Sequence, residues 1–117
     1  RDLGLRLGVA TNDAEGPALV HLEAAGVRGY FDFIAGCDSG HGAKPQPGQL
    51  LAFAERIGLS PDRIVMVGDS LHTDILGAQT AGLPSALITD FGFFAGQDAE
   101  QAVLRAGIVP DFIVRRP

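Results

Sequence analysis

Short, mostly apolar runs alternate with stretches of helical periodicity along the chain. The apolar runs of strand length lie at residues 5–11, 31–37, 64–67, 85–90 and 111–114. The stretches between them show helical spacing at residues 15–26, 47–58, 70–82 and 98–106. Strands that are apolar throughout, and that are separated by helices, are typical of a parallel sheet covered on both faces. The pattern therefore predicts an α/β fold in which a parallel sheet lies between two layers of helices.

The stretch 47–58 shows the helical pattern most clearly. Its apolar residues recur at i, i+3, i+4 and i+7, namely Leu50, Phe53, Ala54 and Ile57. This spacing places them on one face of a helix, and Gly58 follows as an end signal. We expect Ser70 or Thr73 to cap the next helix, which runs to Gly82.

Polar side chains stand where three of the predicted strands end. Thr11 and Asn12 follow the first strand, and Lys44 lies in the Gly- and Pro-rich loop after the second. Asp69 and Asp74 follow the third strand. Ligands of open parallel sheets bind beyond the carboxyl ends of the strands, so we expect these groups to converge at one edge.

Each of these groups has a chemical use if the ligand is a phosphate. A threonine hydroxyl and the next backbone N–H donate to phosphate oxygens, and a lysine offsets charge on a transferring phosphoryl group. Carboxylates are hard oxygen ligands, and Mg²⁺ uses one or two of them together with phosphate. Glycine at position 68 lets the backbone approach such a site closely.

Composition excludes several other classes of function. The chain has 117 residues, a net charge of −5 and no basic cluster, which argues against nucleic acid or an anionic membrane as partner. No apolar run approaches the ~20 residues of a membrane span. The only cysteine, Cys37, leaves no internal disulfide, so we expect a cytoplasmic location. We also expect Cys37 to be buried at a strand end, and the three histidines, His21, His41 and His72, to lie on the surface.

Three segments together resemble motifs of the haloacid dehalogenase superfamily, and most closely its phosphoglycolate-phosphatase-like branch. "VATND" resembles the second motif, "GAKPQPGQL" the third and "GDSLHTD" the fourth, in the same order and spacing. The resemblance implies a Rossmann-like three-layer αβα sandwich. It also implies that residues 1–117 form a partial core domain that contains motifs two to four.

The resemblance implies a role for each candidate residue. Thr11 and the amide of Asn12 would hold the phosphate, and Lys44 would stabilise the nucleophile and the phosphoryl charge. Asp69 would bind Mg²⁺, and Asp74 would support the metal shell or orient Lys44. The implied activity is Mg²⁺-dependent hydrolysis of a small-molecule phosphate monoester through an aspartyl-phosphate. Replacing Lys44 is expected to cost orders of magnitude in rate and to change stability little.

The first motif of the family, D-x-D-x-[TV], has no match here. It would carry the nucleophilic aspartate on a central strand, and a cap domain would follow it. We therefore expect residues 1–117 to hold the two flanks of a sheet without its centre and to be inactive alone. The N-terminal remainder of the same protein, or another copy of the chain, would then complete the sheet.

Other interpretations of the same residues stay open at this point. A phosphomutase shares the core motifs, and a receiver-like signalling module also places Asp, Thr and Lys at strand ends. In a receiver, however, the acidic pair precedes the threonine and the lysine. A non-catalytic phosphate-binding module is a third alternative. Asp69 and Asp74 also suit a helix N-terminus, where carboxylates accept from free N–H groups.

Overall fold

A computed structural model describes residues 4–90, 92–95 and 97–115. Five strands alternate with four α-helices along this part of the chain. The strands are β1 (Gly8–Ala10), β2 (Phe33–Ala35), β3 (Met66–Gly68), β4 (Ser85–Ile88) and β5 (Phe112–Val114). The helices are α1 (Glu15–Ala24), α2 (Gly48–Ile57), α3 (Leu76–Ala81) and α4 (Ala99–Ala106), and a π-helical segment (Leu71–Ile75) leads into α3.

Every predicted strand and helix is present, and the strands are shorter than the apolar runs that predicted them. The helix ends follow the glycine signals, since Gly58 and Gly82 end α2 and α3 in the left-handed conformation, with φ of 71° and 83°. Ser70 does occupy the N-cap position before the π-helical segment, but its side chain makes no capping hydrogen bond.

The described strands pair only in parallel, and they form two sheets. One sheet pairs β1 with β2, and the other has the order β3–β4–β5. Among the described residues no strand is hydrogen-bonded between β1 and β3. The predicted α/β class with parallel strands is confirmed, and the described sheet is divided into two flanks.

Two apolar clusters hold α2, α3 and α4 against these sheets. The first joins β2, α2 and α3 through buried residues that include Phe33, Leu50, Phe53 and Ala78. Because successive strand residues point to opposite faces, Ile34 projects to the side away from Phe33 and α2. The second cluster joins the π-helical segment, β4 and α4, and its members include Ile75, Leu87, Phe94 and Ala99.

One face of the β3–β4–β5 sheet is poorly covered. Val67 is aligned with Ala86, which is aligned with Phe112, so the three side chains share a face. Val65, two residues before Val67, points to the same side, and Val65, Val67 and Phe112 are 51%, 47% and 60% exposed. Ala86 on the middle strand is 8% exposed, so this face presents to solvent the apolar side chains of its two outer strands.

The histidines and the cysteine all lie at the surface. His21, His41 and His72 are exposed, as expected. The prediction for Cys37 is wrong, because this residue is exposed. β2 ends at Ala35, and the chain has already turned outward at Cys37, whose N–H donates to the carbonyl of Asp13. In the part of the chain that the structure describes, no helix combines the length and the apolar character of a membrane span.

Candidate functional site

The turn after β1 is held by backbone hydrogen bonds to the neighbouring strand. The N–H of Thr11 donates to the carbonyl of Ala35 at 3.0 Å, which extends the β1–β2 ladder past the end of β1. The N–H of Asp13 donates to Thr11 Oγ1 at 3.1 Å, so the hydroxyl lies over the turn that it begins. Thr11 is therefore fixed at the carboxyl edge of the sheet, where the sequence predicted it.

The side chain of Asn12 makes two hydrogen bonds to the backbone of Lys44. Its Nδ2 donates to the carbonyl of Lys44 at 2.9 Å, and its Oδ1 accepts from the N–H of Lys44 at 2.8 Å. A side-chain amide that satisfies both backbone groups of one residue fixes that residue in position and orientation. The sequence predicted the backbone amide of Asn12 as a phosphate ligand. The structure shows in addition that its side chain positions the backbone of Lys44.

The side chain of Lys44 is buried and forms an ion pair with Asp74. Nζ of Lys44 donates to Oδ1 of Asp74, and the two side chains are 8% and 9% exposed. Removing one partner of a buried pair leaves the other charge uncompensated and costs about 3–5 kcal/mol. On this geometry we expect replacement of Lys44 to lower stability, in contrast to the prediction from the sequence.

The second oxygen of Asp74 organises the loop that carries Asp69. Oδ2 accepts from the N–H of Asp69 at 3.0 Å and from the N–H of Ser70 at 3.3 Å. A carboxylate that satisfies the free N–H groups before a helix acts as a cap. For Asp74, the alternative interpretation as a residue that caps a helix N-terminus is therefore also correct. Gly68 is required here, because a Cβ at that position would overlap the Asp74 side chain.

Asp69 lies beside a small cavity at the end of β3. The cavity has a volume of about 260 Å³ and is lined by Gly68, Asp69, Ile88 and Gly92. Gly92 has a φ of 77°, and a Cβ there would overlap the Asp69 carboxylate. The loop after β4 thus packs directly against the carboxylate that the sequence predicted as a metal ligand.

The predicted site residues form one connected set at the carboxyl ends of the strands. The side chain of Asn12, the residue after Thr11, is hydrogen-bonded to the backbone of Lys44, whose ammonium group pairs with Asp74. Asp74 in turn accepts a hydrogen bond from the N–H of Asp69. This set bridges the two sheets, since Thr11 follows β1 and Asp69 follows β3.

Two residues of this region were not predicted from the sequence. Gln49, in the first turn of α2, donates from Nε2 to the carbonyl of Thr11 at 2.9 Å. Gly92 makes the close approach to Asp69. No spacing rule marked either residue. Gln49 directly precedes the apolar run that begins at Leu50, and this position alone did not mark it as part of the site.

The carboxylates of the site differ in how well they suit a bound metal ion. Among the described residues, no group of three or more Cys, His, Asp or Glu side chains is placed to hold one ion. Mg²⁺ does not require such a cage, because it binds through one or two carboxylates, phosphate oxygens and water. Asp69, partly exposed beside the cavity, fits this mode. Both oxygens of Asp74 already accept hydrogen bonds, which suits a positioning task better than direct ligation.

Comparison with known proteins identifies the family of this chain. The model of the haloacid dehalogenase-like hydrolase family matches residues 1–82, so the chain belongs to that family of hydrolases. It is 39% identical over 94 residues to the phosphoglycolate phosphatase of Escherichia coli K12, a region that covers 80% of this chain and 36% of that protein.

Solved structures place the fold in the same superfamily. A predicted phosphoglycolate phosphatase from Haemophilus somnus superposes with a TM-score of 0.83 at 29% identity, over 98% of this chain and 48% of the other. A HAD phosphatase from Thermococcus onnurineus gives 0.79 at 30% identity, over 99% and 48%. The chain thus spans about a third to a half of the length of these relatives.

Proposed function

We propose that the whole protein that contains this chain is a Mg²⁺-dependent phosphatase acting on a small-molecule phosphate monoester. The observation that carries the proposal is the buried Lys44–Asp74 pair, which is connected to Thr11 on one side and to Asp69 on the other. Burying a lysine and a carboxylate is a poor way to gain stability. It is a good way to fix an ammonium group where phosphoryl charge develops.

The roles follow from the contacts of each residue. Thr11 Oγ1 accepts from Asp13, and its own proton remains available for a phosphate oxygen. The backbone N–H of Asn12 would be the second donor, and the Lys44 ammonium the counter-charge. Asp69 would hold Mg²⁺, which when bound neutralises and orients the phosphate. Asp74 would orient Lys44 and shape the Asp69 loop.

The nucleophile is proposed to lie outside residues 1–117. The division between β1 and β3 leaves the two flanks without a hydrogen-bonded strand between them in the described residues. A strand of the whole protein that ends in an aspartate would complete the sheet there. That carboxylate would attack phosphorus and expel the substrate alcohol, and water would then hydrolyse the aspartyl-phosphate. The expected inactivity of residues 1–117 alone and the cytoplasmic location stay predictions.

The names of the relatives suggest which substrate to test first. The whole protein should be assayed with 2-phosphoglycolate and with p-nitrophenyl phosphate, with and without Mg²⁺. We expect phosphate release from at least one ester that chelation of Mg²⁺ abolishes and that Mg²⁺ restores. A pure, folded protein that releases no phosphate from a panel of small phosphate esters would contradict the proposal.

A further inference from the structure

Gln49 is an unusual residue for its position. It lies in the first turn of α2, is fully buried, and is flanked by the apolar cluster that contains Leu50 and Phe53. Its Nε2 donates to the carbonyl of Thr11, but its Oε1 has no hydrogen-bond partner among the described residues. A buried amide with one unsatisfied end costs free energy, and an apolar side chain of similar size would avoid that cost. The residue is thus poorly explained by stability.

The single hydrogen bond of Gln49 falls on the peptide group that joins Thr11 to Asn12. This peptide is trans, because the only cis bond among the described residues is Lys44–Pro45. In a planar trans peptide the C=O and the N–H point in opposite directions. A donor that fixes the Thr11 carbonyl therefore also fixes the direction of the Asn12 N–H.

We propose that Gln49 is a positioning residue that aims the Asn12 backbone N–H at the phosphate of the substrate. The inference rests on the proposed function, in which this N–H is a phosphate donor. Hydrogen bonding at the carbonyl also polarises the peptide and strengthens its N–H as a donor. Gln49 thus acts on substrate through the Thr11–Asn12 peptide and does not touch it.

The fixed peptide lies between two other restraints. The N–H of Thr11 is held by the carbonyl of Ala35, and the Asn12 side chain is held by the Lys44 backbone. Without Gln49 the peptide between these anchors retains freedom to rotate. Loss of the restraint is therefore expected to weaken phosphate binding more than it disturbs the fold.

The test is the Gln49→Met variant of the whole protein, because methionine keeps the length of the side chain and removes its amide. Gln79→Met is the matched control. Gln79 also donates from Nε2 to a backbone carbonyl, that of Val109, at 2.9 Å, but on α3 and outside the connected set. The readouts are the inhibition constant of inorganic phosphate in the presence of Mg²⁺, KM and kcat for a hydrolysed ester, and amide hydrogen exchange.

We expect Gln49→Met to weaken inhibition by phosphate and to lower kcat/KM by about 10- to 100-fold, since small misplacements of binding groups have effects of this size. Exchange at Asp13, whose N–H is hydrogen-bonded to Thr11 Oγ1, should become faster, while Tm changes little. Gln79→Met should keep both kinetic constants within about twofold, because its lost bond does not reach the site. A merely structural role would lower the active fraction and leave the inhibition constant unchanged.

Two outcomes separate this inference from the proposed function. An active wild-type protein whose Gln49→Met variant keeps the wild-type inhibition constant and exchange rates would overturn the positioning role alone. A wild-type protein that neither hydrolyses phosphate esters nor binds inorganic phosphate would overturn the proposed function and, with it, this inference.

Discussion

The candidate site and the β3–β4–β5 sheet face have opposite distributions of polarity. At the site, Lys44 and Asp74 are buried as a charged pair with side chains 8% and 9% exposed. On the sheet face, Val65, Val67 and Phe112 are about half exposed. Burying charges and exposing valines both oppose stability, so each requires another reason. For the site we propose that the reason is positioning of an ammonium group, and for the sheet face we propose cover by the rest of the whole protein.

The largest effect is expected from Lys44→Met in the whole protein. Asp74 would be left buried without its counter-charge, so the free energy of unfolding should fall by about 3–5 kcal/mol. Phosphatase activity should fall by about 10²-fold or more, because a preorganised charge in a buried site supplies several kcal/mol to the transition state. Denaturant unfolding and initial rates with p-nitrophenyl phosphate measure the two effects.

The double variant Lys44→Met, Asp74→Asn is the control for this experiment. It removes both charges, so it should recover part of the lost stability without recovering activity. Equal stability of Lys44→Met and wild type would show that the pair is solvated in the whole protein, and the contrast between site and sheet face would then fail.

Asp69→Asn should reduce activity strongly and stability little. The buried Lys44–Asp74 pair stays intact in this variant, and the N–H of Asp69 can still donate to Asp74. Loss of a charged Mg²⁺ ligand should raise the Mg²⁺ concentration for half-maximal activity and lower kcat by about 10²-fold. A Mg²⁺ titration that superposes on that of wild type would remove Asp69 from the metal site.

Gly92→Ala tests the approach of the loop after β4 to Asp69. The positive φ of 77° costs a residue with a Cβ about 1–2 kcal/mol, and the added methyl group must displace the Asp69 carboxylate. We expect weaker Mg²⁺ activation in addition to the loss of stability. Gly58→Ala, at φ 71° with open space around its Cβ, is the control, and it should show a similar loss of stability with normal Mg²⁺ activation.

The smallest effect is expected from Val67→Thr on the sheet face. If the rest of the whole protein covers this face, the hydroxyl is buried and the free energy of unfolding should fall by about 1–2 kcal/mol. Val109→Thr, at a site that is 63% exposed and outside any strand, should change it by less than about 0.5 kcal/mol. Equal, small effects would show that the face stays in contact with solvent.

The sequence predicted the elements well because their signals are local. The apolar spacing in 47–58 and the glycine that follows were enough to place α2 within one residue at each end. The prediction for Cys37 failed, because one apolar-looking residue at the end of a run does not show where the chain turns out of the sheet. The same limitation applied to Lys44, because the composition of its loop gave no sign that the fold would bury its side chain.

The candidate residues Thr11, Asn12, Lys44, Asp69 and Asp74 were all chosen from the sequence, because polar groups at the ends of parallel strands meet at one edge. Their roles were harder to assign. Whether Asp74 binds metal or orients Lys44 depends on which atoms reach its two oxygens, and no spacing rule contains that information. Gln49 and Gly92 were missed for the same reason, since their importance arises from contacts with residues distant in sequence.

By itself, therefore, the sequence determined the α/β class, the order of elements and the set of polar groups that follow the strands. These depend on side-chain periodicity and turn chemistry, which act within a few residues. The tertiary structure decided that Lys44 and Asp74 form a buried pair, that Asn12 and Gln49 brace the turn after β1, and that the strands divide into two sheets. These features depend on distances between residues that lie 30 or more positions apart in the chain, as for Lys44 and Asp74 or Thr11 and Gln49. Only packing fixes such distances.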